Sequence, residues 1–138
     1  MRPDNFVEHS VRSTRHKVLI VDDDPSHLEI YALLLRQAGY EPVPALVRFA
    51  GTDFPSDAQI DGIILDYRLK SMKTSSDLAR QMRGFYPHAP IVLLSDGRSV
   101  PPDIAPYVAD FVRRGEPAEL LRKLSVLVSV NTGLPQTV

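Results

Sequence analysis

Four short apolar runs, each closed by a polar residue, constrain this chain more than any other feature. They are "KVLIV" (17–21), "GIIL" (62–65), "PIVLL" (90–94) and "DFV" (110–112). Runs of this length, rich in Val, Ile and Leu, read as strands buried on both faces. Helix-like segments lie between them. "PSHLEIYALLLRQAG" (25–39) places Leu28, Tyr31, Ala32, Leu35 and Ala38 at helical spacing and ends at Gly39, a suitable C′ residue. "SSDLARQMRGF" (75–85) turns Leu78, Ala79 and Met82 inward. "PAELLRKLSVLVS" (117–129) puts Leu121, Leu124 and Val128 on one face, with Leu120 and Leu127 beside it. Alternating strands and helices predict an α/β fold, a doubly wound parallel sheet with helices on both sides.

Other segments are weaker. "YEPVPA" (40–45) carries two prolines and belongs at a sheet edge. Residues 47–54 are at best a weak helix. Residues 98–108 have a helical rhythm broken by Pro101, Pro102 and Pro106. The expected organisation is a flexible arm over 1–16, one domain over 17–129 and a tail over 130–138.

Composition removes several function classes. With 43% hydrophobic and 24% charged residues, 138 residues make an ordinary globular domain. A net charge of −1 speaks against nucleic-acid binding by bulk charge. The absence of cysteine excludes disulfides and thiolate metal sites. No apolar run has the length of a membrane span, and the N-terminus lacks the apolar core of a signal peptide. The expected location is the cytoplasm.

Ligands gather at the carboxyl ends of parallel strands, so the residues closing each run matter most. The first run ends in Asp22, Asp23 and Asp24, the second in Asp66, the third in Ser95, and the fourth in Arg113 and Arg114. Asp24 before Pro25 reads as a helix N-cap followed by an N1 proline. Asp22 and Asp23 are left over. On their own they could cap the same helix and sit in water. With Asp66 arriving from a second strand, three oxygen donors at one rim suit a hard cation, Mg²⁺ or Mn²⁺.

The motifs "VLIVDDDP", "GIILDYRL", "IVLLS" and "ADFVRRGEPAELL", in that order and spacing, resemble the receiver domain of two-component response regulators over about residues 17–129. The resemblance implies a flavodoxin-like, five-stranded parallel sheet in the order 2-1-3-4-5. It implies that Asp66 is the phosphoacceptor. It further implies that Asp22, Asp23, Asp66 and the backbone carbonyl of Arg68 hold Mg²⁺. Ser95, Phe111 and Arg114 take the places of the switch hydroxyl, the switch aromatic and the lysine that contact or follow the phosphoryl group. The implied partners are a histidine kinase or phosphotransfer protein and a downstream protein target, with neither direct nucleic-acid binding nor membrane contact.

The sequence departs from that pattern in five places. Arg114 replaces the lysine, and its planar fork is bulkier. Gly115 replaces a proline usually preceded by a cis bond, so a trans bond is expected here. Asp96 stands where a small residue is usual and is expected to point outward in an Asp-Gly turn. The loop after Asp66 has Lys70 for the usual proline, lacks the usual glycine and is one residue longer than usual. The fourth helix is short and broken.

Three functions compete. The first is a stand-alone phosphoacceptor module, not an enzyme in the ordinary sense. Since few residues follow Ser129, its output is expected through protein contacts, unless the chain is a piece of a longer protein. The second is a degenerate receiver that binds a partner without phosphorylation. The third is a phosphatase of the haloacid dehalogenase type, faintly echoed in "VDDDPS", with Asp22 as nucleophile and Asp24 as acid. His9, His16, His27 and His88 share no metal spacing and are expected to be exposed.

Overall fold

Each apolar run forms a strand that extends to include its closing residue. In the computed structural model, which describes residues 15–56, 59–69 and 74–132, with side chains to residue 129, β1 is Lys17–Asp22, β2 Glu41–Leu46, β3 Gly62–Asp66, β4 Ile91–Ser95 and β5 Asp110–Arg113. The helices are α1 (Pro25–Gln37), α2 (Ser75–Phe85) and α3 (Pro117–Thr132). All strand pairs are parallel, and the order is β2-β1-β3-β4-β5. The doubly wound five-stranded sheet expected from the sequence is therefore the observed fold.

Burial follows from this order. All five residues of β3 and of β4 are buried, as central strands covered on both faces require. β2, with Pro42 and Pro44, lies at the edge, where a missing N–H costs least. Successive side chains alternate across the sheet. One face offers Val18, Ile20, Ile64, Val92, Leu94 and Val112 to Leu28, Ala32 and Leu35 of α1 and to Leu120, Leu124 and Val128 of α3. The other offers Leu19, Val21, Ile63, Leu65, Ile91 and Leu93 to Leu78, Ala79 and Met82 of α2. Burying each Leu or Ile contributes about 1.5–3 kcal/mol. Gly62 lets α3 approach closely: a Cβ there would lie 3.1 Å from Val128 and 3.3 Å from Leu124.

Capping residues set the helix starts. Asp24 caps α1 and accepts the Ser26 N–H at 2.9 Å, with Pro25 in the first turn. Thr74 and Asp77 form a reciprocal capping box on α2. α1 ends before Gly39, which has φ +94°.

The structure corrects several local expectations. Residues 47–54 contain no helix; Arg48 and Gly51 form an isolated bridge instead. In 98–108 only a 3₁₀ turn, Ala105–Tyr107, remains, because the three prolines remove donors and crowd a regular helix. Ala38 is exposed beyond the end of α1. The face of α3 toward the sheet is Leu120, Leu124 and Val128, with Leu121 and Leu127 only half-buried. α3 also continues to Thr132, into the expected tail. The remainder of that tail, and the arm up to residue 14, lie outside the described residues. No helix among the described residues is long and apolar enough to cross a membrane.

Candidate functional site

The carboxyl ends of β1, β3, β4 and β5 share one rim. β1 and β3 pair Val21 with Leu65, so one further step sets Asp22 level with Asp66. Asp66 is opposite Leu94, and Ser95 is opposite Arg113.

Asp22 is 1% exposed. Its Oδ1 accepts the Asp24 N–H at 3.0 Å, and its Oδ2 lies 3.3 Å from His27 Nδ1. Burial pushes its carboxyl above the ordinary carboxylate value, while the Asp24 N–H and His27 oppose part of that push. Asp23 is half-buried and lines a cleft at the rim. Asp24 is committed to capping, and the Ser26 N–H holds its carboxyl below the ordinary value. That commitment leaves little for the acid role a phosphatase would ask of it.

Asp66 is 2% exposed. Its Oδ1 accepts the Arg68 N–H at 2.9 Å and also a hydrogen bond from Arg114 Nη2. Ser75 Oγ lies 2.9 Å from the Asp66 carbonyl and 2.6 Å from that of Tyr67, which ties the end of β3 to the start of α2. Ser95 is buried, and its Oγ accepts the Gly97 N–H at 3.1 Å. Phe111 is half-buried, with Lys123 Nζ 5.3 Å from its ring centre. The 114–115 bond is trans and Gly115 has φ +81°.

Arg114 leaves β5 toward the rim, its backbone N–H on the Ser95 carbonyl at 3.2 Å. Arg113 is exposed and lies elsewhere. The outward reading of Asp96 is overturned. Its carboxylate pairs with Arg68 and approaches Arg114 Nε at 3.4 Å. The reason is electrostatic: two guanidiniums flank the turn, and the carboxylate is drawn between them. Arg114 Nε is nonetheless buried without a hydrogen-bond partner. Lys70 and the rest of the 70–73 loop lie outside the described residues.

The exposed histidines also need correction. His27 joins the acid cluster, and His16 Nδ1 lies 3.5 Å from Asp61. His88 is exposed as expected, and His9 lies outside the described residues. His27 and Ser75 are the site residues that the sequence reading missed. His27 follows Asp22 by five residues, one helical turn past the cap, and that offset is the signal that could have found it.

The cleft, of about 350 Å³, is lined by Asp23, Asp24, Pro25, His27, Asp66, Arg68 and Arg114. One donor atom each from Asp22, His27 and Asp66 lies within 4.8 Å of the others. Two carboxylates and an imidazole fit a divalent cation, and a buried carboxyl with a raised pKa is a group that a cation relieves.

A parallel sheet in the order 2-1-3-4-5 is the flavodoxin-like arrangement that receiver domains of response regulators share, and here acids stand at its carboxyl rim. Solved structures agree. A CheY-like response regulator receiver domain from Methanospirillum hungatei superposes with a TM-score of 0.72 at 15% identity, covering 87% of this chain and 98% of that one. The chemotaxis protein CheY4 of Vibrio cholerae gives 0.68 at 25% identity, covering 83% and 99%. The receiver domain of a sensor histidine kinase from Pseudomonas aeruginosa, solved with magnesium in its active-site cleft, gives 0.66 at 22% identity, covering 84% and 99%. No family model matches the sequence, and no curated protein matches it.

Proposed function

We propose that the chain is the phosphoacceptor of a two-component phosphorelay, phosphorylated on Asp66. The carrying observation is Asp66 itself: a buried carboxylate at the end of β3, level with Asp22, with one oxygen held by the Arg68 N–H and Arg114. A carboxylate so placed is oriented toward an open cleft and faces a cationic group, as phosphoryl transfer requires. The donor would be a phosphohistidine of a kinase or phosphotransfer protein. An Asp66 oxygen attacks phosphorus, the P–N bond breaks, and the imidazole nitrogen departs with the electron pair and takes up a proton.

Asp22, Asp23, Asp66 and the Arg68 carbonyl would hold Mg²⁺, or Mn²⁺ in its place. The cation supplies charge neutralisation between two anionic reactants. Arg114 contributes fixed positive charge on the other side of Asp66, and the Ser95 hydroxyl is the candidate donor to the transferred group. Phe111 is the candidate aromatic that repacks as charge accumulates. The module turns over no substrate of its own, works in the cytoplasm and signals by protein contact.

The test is intact mass after incubation with Mg²⁺ and acetyl phosphate, beside Asp66→Asn. One phosphoryl adduct is expected, absent in the variant and in EDTA. A second reading is favoured by the Arg68–Asp96 pair, which adds a carboxylate beside the acceptor: a receiver fold that binds its partner without phosphorylation. A folded protein that takes no adduct from acetyl phosphate or from a phosphorylated kinase supports that reading instead.

A further inference from the structure

We propose that His27 is a cation ligand, making the rim a mixed nitrogen–oxygen site that prefers a transition-metal divalent ion such as Zn²⁺ over Mg²⁺. The inference rests on the cation site of the proposed function and concerns which cation that site takes. His27 Nδ1 and Asp22 Oδ2 are 3.3 Å apart. Two atoms that share one ion at about 2.0–2.2 Å sit roughly 3–4 Å from each other, so this pair already has a ligand spacing. Asp66 brings a third donor within 4.8 Å of both.

The other side of the ring supports the same reading. Nε2 faces Asp24 Oδ2 at 3.6 Å. A carboxylate on the far side of the ring is an arrangement found behind metal-bound histidines. Asp24 is itself fixed by its cap to Ser26, so the imidazole is held from behind by a rigid group. Imidazole adds little for Mg²⁺, which favours oxygen and water, and much for ions later in the first transition row.

Two probes separate the alternatives: calorimetric titration with Mg²⁺ and with Zn²⁺ on the tag-free protein, and the ¹⁵N imidazole resonances of histidine-labelled protein. His27 is 43% exposed in its side chain, so His27→Ala and His27→Gln leave the core intact. The proposal expects Zn²⁺ to bind wild type more tightly than Mg²⁺. It expects His27→Ala to weaken Zn²⁺ by about tenfold or more while Mg²⁺ changes less than about twofold. The Nδ1 resonance of His27 should shift on adding Zn²⁺ and not on adding Mg²⁺. Equal weakening of both ions would overturn it, because His27 would then only orient Asp22. Mg²⁺ binding that needs Asp22, with Zn²⁺ affinity indifferent to His27, would overturn it and leave the phosphoacceptor reading standing. Wild type that binds neither ion would remove the cation site itself, and both readings with it.

Discussion

The two faces of the sheet are closed by different means. On one, α1 and α3 lay regular apolar stripes on the strands, and the contacts are almost wholly aliphatic. On the other, α2 is the only α-helix among the described residues, and the cover is completed by largely irregular chain carrying Val47, Ile60, Tyr86 and Ile104. A helix satisfies its own backbone, so it needs only burial to hold it. Irregular chain must have its carbonyls satisfied one by one. Arg83 does much of this, donating to the carbonyls of Tyr86, Pro87, Ala89 and Tyr107 at 2.8–3.2 Å. The Tyr86 hydroxyl adds a bond to the Pro55 carbonyl, and that of Tyr67 a bond to Asp103. The helical face thus depends on packing, and the irregular face on packing plus polar clips.

The sharpest way to break this contrast is to cut the core on each side. Leu124 and Ile104 are both fully buried. Leu124→Ala should cost about 2–5 kcal/mol in urea unfolding, toward the upper end, because α3 is rigid and cannot settle into the void. Ile104→Ala should fall lower in that range, because the chain around it can collapse. Equal losses would mean that the irregular cover is as stiff as a helix, and the contrast would fail.

A smaller loss tests the clips. Arg83→Met keeps most of the apolar stem and removes all four bonds, which should cost about 1–3 kcal/mol. Amide exchange should speed up over residues 86–109 and stay unchanged in α1 and α3. A uniform rise across the chain would show that Arg83 serves global stability and not this face alone.

The same contrast explains what could be read in the sequence. Strands β1, β3, β4 and β5 were legible as short continuous apolar runs and the three helices by their helical period, and the prolines of β2 placed it at an edge. The cover over 47–56, 59–61 and 96–109 was not, because nothing periodic specifies it; Arg83 looks like any surface arginine on a helix. At the rim, Asp22, Asp66, Ser95 and Arg114 were legible because each closes a strand or directly follows one. His27 was not, since it lies on α1 and reaches the rim only through the geometry of the Asp24 cap. Asp96 was misread because its direction depends on two arginines from separate loops.

The least change is expected where the two faces meet, at Asp22. Its carboxyl is raised above 3.8 by burial, so the native protein holds that proton more tightly than the unfolded chain does. The stability from this group is complete below 3.8 and is lost as pH rises through the raised native value. At pH 7 the ionised form is therefore a burden on the fold. Asn can still accept the Asp24 N–H and carries no charge. In EDTA at pH 7, Asp22→Asn should raise Tm by about 1–3 °C, with the gain fading as pH falls toward 3.8. Added divalent cation should reverse the order, because an ion that binds only the native wild type stabilises it by mass action. A variant that melts lower than wild type in EDTA would mean that the Asp22 charge is already well balanced by His27 and the Asp24 N–H, and the rim would then owe nothing to a cation for its stability. A gain in EDTA that reverses with the ion would instead make the rim the one part of the molecule whose stability is set by its ligand and not by either face.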